Sequence, residues 1–252
     1  MSNLSSNSLG ILVCRIFTVL AVYKKGCVLM VTFSYFGHAC FTLSDGKTTL
    51  LFDPFFTNNP LATITADQVE CQYILVSHAH FDHLGDAVAI AKRTGATIIS
   101  TAEVAHLCAD QGCTVHGMNL GGSYRFDFGK VRVTFALHSS GIAGGVACGF
   151  VLHFDDQVIY FAGDTALFGD MKLIGHKEKI DYALLPIGDN FTMGLEDAAM
   201  AAQWLNAKHV IPIHYNTWPP IAQDPEKFKE LAESTSRAEV HIVSSGNSLE
   251  LK

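Results

Sequence analysis

His78-Ala79-His80-Phe81-Asp82-His83 gathers three imidazoles and a carboxylate into six residues. Buried together without a cation, these groups would leave polar atoms unsatisfied, so packing is a poor explanation for them. The apolar run Tyr73-Ile74-Leu75-Val76 just before them predicts a strand. Alternate positions on that extended segment let His78 and His80 reach one point, and the turn that follows aims Asp82 and His83 at a neighbouring point. Two adjacent metal ions are the expected occupants.

Two ions need more ligands than this block holds. Three residues downstream fit, each where a strand gives way to a loop. His138 ends Val131-Arg132-Val133-Thr134-Phe135-Ala136-Leu137, Asp164 follows Val158-Ile159-Tyr160-Phe161-Ala162-Gly163, and His214 follows Val210-Ile211-Pro212-Ile213. Asp53 has the same placement, after Leu50-Leu51-Phe52. It lies too early to join the ligand loop, and its expected task is to accept the outward N–H of a ligating imidazole, which fixes the tautomer and raises ligand basicity.

Taken in order, Asp53, the His78 to His83 block, His138, Asp164 and His214 resemble the five motifs of the metallo-beta-lactamase superfamily, and the similarity spans nearly everything after Met30. Tyr35-Phe36-Gly37-His38-Ala39-Cys40-Phe41, Leu51-Phe52-Asp53-Pro54-Phe55 and Leu185-Pro186-Ile187-Gly188-Asp189 are similar to the UPF0173-like branch of metal-dependent hydrolases. Ascorbate-6-phosphate lactonase and the N-acylphosphatidylethanolamine phospholipase are more distant members of that branch. The resemblance implies that His78, His80 and His138 hold a first metal, Asp82, His83 and His214 a second, and that Asp164 bridges them. It also implies an α/β fold, a four-layer αβ/βα sandwich of two mixed sheets with the ligands along one edge. Flavodiiron oxidoreductases of this fold carry Glu where this chain has His80, which disfavours a dioxygen-reducing centre.

Two divalent ions sharing Asp164 bring the pKa of a bridging water towards about 7, which supplies hydroxide as nucleophile at neutral pH. The expected reaction is hydrolysis of a small ester, lactone or phosphoester. Mixed His and carboxylate ligands suit Zn2+, with Mn2+ or Fe as alternatives. His38 is read either as proton donor to the leaving group or as a structural residue at the end of the first strand, and Asp82 as a ligand that also shuttles a proton. Asn190, Thr192 and Asn216 are expected to offer neutral hydrogen bonds to substrate, or simply to belong to turns. Ser139 and Ser140, beside His138, are open between the same two readings. His106, His116, His153, His176, His209 and His241 stand apart from the motifs and are assigned to surface or packing. Two other functions compete: a mononuclear-iron oxidoreductase similar to the persulfide dioxygenases, against which Asp82, His83 and His214 speak, and a metal-stabilised binding protein without turnover.

Runs at about 31 to 36, 39 to 44, 48 to 53, 72 to 77, 130 to 137, 147 to 154, 157 to 162, 182 to 187 and 208 to 213 read as strands, and 85 to 93, 101 to 109 and 195 to 205 as helices, the first capped by Asp86 and stopped at Gly95. A chain of 252 residues, 49% hydrophobic, can bury a substantial core. No linker divides residues 30 to 252, which predicts one domain. A formal net charge of −7 argues against nucleic acid and leaves a small molecule as the expected partner, since bound ions set the local field. A homo-oligomer is compatible with the resemblance.

Seven cysteines without close pairing fit a reduced, cytoplasmic protein, with Cys40, Cys71 and Cys148 as small buried hydrophobes. The apolar segment from Ile11 to Tyr23 is shorter than a membrane span, is broken by Arg15 and lacks a clear cleavage site. Residues 1 to 29 therefore read as an extension ahead of a start at Met30, with neither export nor membrane anchoring expected, which also makes antibiotic hydrolysis a poor fit.

Overall fold

The computed structural model of the protein describes residues 30–252, so the extension expected at 1 to 29 lies outside the described residues. Among the described residues, fourteen strands form two seven-stranded sheets. The first holds β1 (Thr32–Tyr35), β2 (Phe41–Ser44), β3 (Thr49–Phe52), β4 (Tyr73–Leu75), β5 (Thr97–Thr101) and β6 (Val115–Met118). The second holds β7 (Ser123–Phe126), β8 (Gly129–Phe135), β9 (Cys148–Phe154), β10 (Gln157–Phe161), β11 (Tyr182–Pro186), β12 (His209–Ile213) and β13 (Glu239–Val240). The last strand, β14 (Ser248–Glu250), returns to pair with β1, giving the orders β14-β1-β2-β3-β4-β5-β6 and β13-β12-β11-β10-β9-β8-β7.

Both sheets are mixed in the same way. Pairing is antiparallel from β1 to β3 and from β7 to β10, and parallel from β3 to β6 and from β10 to β13. Two antiparallel steps restore direction, so β1, β3 and β4 run one way in the first sheet and β8, β10 and β12 run one way in the second. The segments directly after these six strands carry His38, Asp53 and every expected metal ligand. In open α/β sheets such carboxyl ends are where ligands bind.

The sheets face each other across an apolar layer and are covered outside by helices. Alternation along each strand decides which layer a side chain joins. Leu50 and Phe52 point to the inter-sheet core while Leu51 packs beneath helices, and Ile159 and Phe161 face inward while Tyr160 faces outward. Phe41 stacks on Phe52 at 4.4 Å, and Phe161 from the other sheet meets both rings edge-on at 5.2 and 5.7 Å. The central strands, buried on both faces, therefore read in sequence as nearly continuous apolar runs. Outside the first sheet lie α2 (Ala87–Thr94) and α3 (Ala102–Ala109), and outside the second α4 (Met171–Lys177), α5 (Leu195–Leu205) and α6 (Pro225–Thr235). A short helix, α1 (Phe81–Leu84), follows β4. This is the four-layer αβ/βα sandwich that the resemblance implies.

Several expectations need correction in detail. The short or edge strands β6, β7, β13 and β14 present one buried residue or none, so they carry no readable alternation. The interior strand β5 and the helices α4 and α6 were also absent from the sequence reading. Asp86 stands ahead of α2, but its carboxylate does not cap that helix; it accepts the amides of Phe56 and Thr57 and the Thr57 hydroxyl instead. Gly95 does end α2, at φ +77°. Cys40, Cys71 and Cys148 are buried and free. Among the described residues, no helix is long and apolar enough to cross a membrane.

Candidate metal centre

The strand leading to the histidine block stops at Leu75, earlier than its apolar run suggests, and His78 to His80 form an extended loop. Asp82 and His83 sit on α1, whose single turn is closed by the His83 and Leu84 amides bonding to the His80 carbonyl at 3.0 and 2.9 Å. Gly85 ends it at φ +37°, where a Cβ would stand 2.4 Å from the Pro54 carbonyl oxygen. Only glycine lets the chain turn away that close to the loop after β3.

Two groups of donors result. His78, His80 and His138 present ligand atoms within 4.8 Å of one another, and so do Asp82, His83 and His214, with His38 beside them. Asp164 stands between the groups. Its Oδ2 is 3.7 Å from His138 Nε2, 3.2 Å from His83 Nε2 and 3.0 Å from His214 Nε2. Asp164 itself follows Gly163, which holds φ +62° with no room for a Cβ, 2.5 Å from the Cys148 carbonyl.

Asp53 organises the first sheet's share of the site. Its carboxylate accepts the Ser77 amide at 2.7 Å, the Ser77 hydroxyl at 2.6 Å and His83 Nδ1–H at 2.6 Å. Since the Ser77 hydroxyl donates to Asp53, its oxygen accepts from His78 Nδ1–H at 2.9 Å. Both rings are thereby held with Nδ1 protonated and the Nε2 lone pair turned inward. The second sheet is tied in through backbone. The His38 carbonyl accepts the His214 amide at 2.6 Å and the Tyr35 hydroxyl at 2.7 Å. His38, Asp53 and His214 all hold positive φ, at +58°, +37° and +55°. Such backbone costs about 1–3 kcal/mol each and persists where the surroundings over-determine it, as these bonds do.

These residues fit divalent cations. His83 Nε2, Asp164 Oδ1 and both His214 ring nitrogens are buried polar atoms without a hydrogen-bond partner, which burial makes costly unless something positive meets them. The donor set is imidazole and carboxylate, which suits zinc, manganese or iron. The electrostatics agree. Burial opposes charge on His83, yet the Asp164 and Asp53 carboxylates hold its pKa well above the ordinary value, so a cation is favoured at that ring. Burial, then neighbouring His83, pushes His78 well below it. Asp164, despite burial, is held far into its charged form by His214 and His83.

His38 occupies a different position from the one its sequence context suggests. It lies in the turn beyond β1, not at the strand's end, and is fully buried. Its Nε2 faces Asp82 Oδ2 at 3.1 Å and its Nδ1 faces Thr217 Oγ1 at 2.8 Å, so it stands behind Asp82 and outside the mouth of the site. Burial, together with His214, lowers its pKa to about 3.

A cavity of about 500 Å³ opens over the donors, floored by His80, Asp82, His138, Asp164 and His214. Ser139, Phe81, Phe191, Trp218 and Pro220 form its walls. Asn190, Thr192 and Asn216 do not line it; Asn216 accepts the Gln223 amide instead. Ser140 turns to bond Ile142. Thr217 and Ser77 were missed by sequence reasoning, because a lone hydroxyl carries no signal until folding sets Thr217 beside His38 and brings Asp53 to Ser77.

His209 and His241 are not isolated. Adjacent parallel strands bring them 3.0 Å apart with the Glu239 carboxylate 3.5 Å from His209, at the opposite ends of the strands from the site. A groove of about 570 Å³ beside Glu239 and His241 holds none of the predicted site residues.

Residues 48–215 match the family described as the beta-lactamase superfamily domain, and the chain belongs to that superfamily. Within it the chain is 51% identical to a UPF0173 metal-dependent hydrolase of Natranaerobius thermophilus over 217 residues, covering 86% of this chain and 98% of the relative. The corresponding protein of Pelotomaculum thermopropionicum is 50% identical over 226 residues, 86% of this chain and 99% of the relative. Among solved structures, Igni18, a metallo hydrolase from Ignicoccus hospitalis, superposes with a TM-score of 0.84 at 36% identity, covering 88% of this chain and 99% of that one. The narrower family is thus that of the UPF0173 metal-dependent hydrolases.

Proposed function

We propose that this protein is a dinuclear metal-dependent hydrolase of small esters, lactones or phosphoesters, with His78, His80 and His138 holding one divalent ion, Asp82, His83 and His214 a second, and Asp164 shared. The observation that carries this reading is the position of Asp164, whose Oδ2 faces nitrogens of both donor groups within 3.7 Å. Zinc is the favoured metal, with manganese or iron as alternatives on the same donors. Divalent ions supply two things there: water made acidic enough to ionise near neutral pH, and charge that stabilises the oxygen on which negative charge develops.

The chain's own residues do the rest. Asp53 and Ser77 fix the tautomers of His83 and His78, so that Nε2 is the free donor on each ring. Asp82, which lines the cavity, would take a proton from the attacking water and pass it to the leaving group. His38 holds Asp82 Oδ2 in that orientation and is itself held by Thr217. Its role is therefore positioning rather than direct proton donation.

Elemental analysis of protein purified without added metal or affinity tag tests this reading. Two zinc or manganese ions per chain, with turnover of at least one member of an ester, lactone and phosphodiester panel that chelator abolishes, is the expected result. A single iron with no hydrolysis of the panel would overturn it.

A further inference from the structure

We infer that the substrate is an uncharged ester or lactone whose aryl or medium-length alkyl group lies against Phe81, Trp218 and Phe191. This rests on the hydrolase reading above and narrows it. The three side chains come from separate segments: the first position of α1, the loop between β11 and α5, and the loop after β12. Phe81 is 70% and Phe191 54% exposed. Single exposed aromatics need no explanation, but here three rings converge on one cavity whose floor is the donor cluster.

The wall is built in advance. Phe81 and Trp218 lie 5.9 Å apart, each also 5.9 Å from the buried ring of Phe55, and Trp218 meets the His38 ring at 5.0 Å. A ligand that covers them finds surface already ordered, which spares the entropy of arranging it. Because Phe81 sits between His80 and Asp82, the loop that places two donors also places this ring.

Charge narrows the choice further. Among the described residues, no Lys or Arg lines the cavity, so the only cations near a substrate would be the ions at its floor, whose charge the carboxylates of Asp82 and Asp164 would offset in part. An anionic substituent beyond the reacting centre would leave water without a cation to meet it, a costly transfer. An aryl or alkyl group gains by leaving water for these rings. A phosphodiester would carry its charge at the reacting centre, facing the ions, so the cost of an unmet charge falls on charged substituents further out. In the reaction the acyl carbon–oxygen bond to the leaving group breaks and one to the water oxygen forms. Of the two water protons, one ends on the released alcohol and one on the acid, which gives it up to solvent.

The test uses metal-loaded protein and two matched esters, 4-nitrophenyl hexanoate and the mono-4-nitrophenyl ester of adipic acid, alongside bis(4-nitrophenyl) phosphate. The expected result is a kcat/KM at least about tenfold higher for the hexanoate than for either charged compound. Phe191→Ser and Phe81→Ser should raise KM for the hexanoate about tenfold with metal content unchanged, and affect 4-nitrophenyl acetate much less. Preference for either anion, or an unchanged KM in both variants, overturns the inference while leaving the hydrolase reading intact. If no compound turns over, the hydrolase reading fails by itself, and binding is read separately. In Trp204→Phe, Trp218 is the one remaining tryptophan, and hexyl 4-nitrophenyl ether is an unhydrolysable neutral probe. Saturable quenching that weakens in Phe191→Ser supports the apolar subsite, and its absence overturns it.

Discussion

Asp53 accepts His83 Nδ1–H at 2.6 Å while the same carboxylate takes both the amide and the hydroxyl of Ser77. One buried residue at the end of β3 thus sets the tautomer of a ligand on α1 and, through Ser77, that of His78 in the preceding loop. It does not line the cavity, yet two candidate ligands depend on it. Its own backbone, at φ +37°, is held there by the Asp53 amide bonding to the Leu75 carbonyl at 3.0 Å.

Asp53→Asn keeps the shape and removes the charge. Metal affinity should fall about 10- to 100-fold, the effect expected from losing a carboxylate behind a ligating imidazole. Competition with a chromophoric chelator measures it, and unchanged affinity would detach Asp53 from the metal centre.

Asp164→Ala removes the oxygen shared by the two donor groups. Metal content should drop at both sites together, and turnover by about two to three orders of magnitude or more, as several kcal/mol of transition-state stabilisation is lost. Stoichiometry by elemental analysis decides it: loss confined to one ion would remove the bridging role.

His38→Ala should leave both ions in place and lower kcat by about 10- to 100-fold, since an acid–base group is left misplaced rather than deleted. Thr217→Val, which frees His38 Nδ1 of its partner, should reproduce part of the loss. A pH–rate profile separates this from a packing defect. Burial opposes charge on Asp82, yet the His38 hydrogen bond helps hold its pKa below the ordinary carboxylate value, so the acidic limb should move upward in both variants, and a uniform drop at all pH values would contradict the positioning role.

The metal-stripped protein should be most stable near the ordinary histidine pKa of 6.5. His38 has its pKa lowered to about 3 and that of His78 lies well below normal, both chiefly through burial. Each binds a proton more readily when unfolded, so stability falls as pH drops from 6.5 towards 3. The pKa of His83 is raised by Asp164 and Asp53 against the opposing effect of burial, so its contribution is present below 6.5 and is lost as pH rises through the elevated value. Denaturant midpoints measured with chelator from pH 4 to 9 should trace a maximum, and a steady rise across that range would refute the His83 assignment.

Gly163→Ala should destabilise the fold by about 1–3 kcal/mol, because alanine must hold φ +62° with its Cβ against the Cys148 carbonyl. In a chain of this size that corresponds to a thermal midpoint lower by about 2–4 °C per kcal/mol. Since Asp164 comes next, metal affinity should weaken too.

The His78 to His83 block and the three downstream residues that meet it in the candidate site were legible because chemistry and punctuation coincide in them. A polar ligand type directly after an apolar run is visible in one dimension. Most interior strands were legible for a related reason: burial on both faces makes them apolar throughout, with β5 the exception because it buries Ser100 and Thr101. Edge strands such as β7, with no buried residue, left no such trace.

By itself the sequence determined which residue types could bind metal, that they follow strands, and that a large core would hold those strands. Only the tertiary structure decided how they meet. The mixed pairing turns β1, β3 and β4 in one direction and β8, β10 and β12 in another, so that loops separated by more than a hundred residues share one edge. It also put His38 behind Asp82, set Ser77 and Thr217 against imidazoles, and brought Phe81, Phe191 and Trp218 round one cavity. Apart from Ser77 and its neighbour His78, those relationships are distances between residues remote in the chain. They arise from strand register and inter-sheet packing, which local residue patterns do not encode.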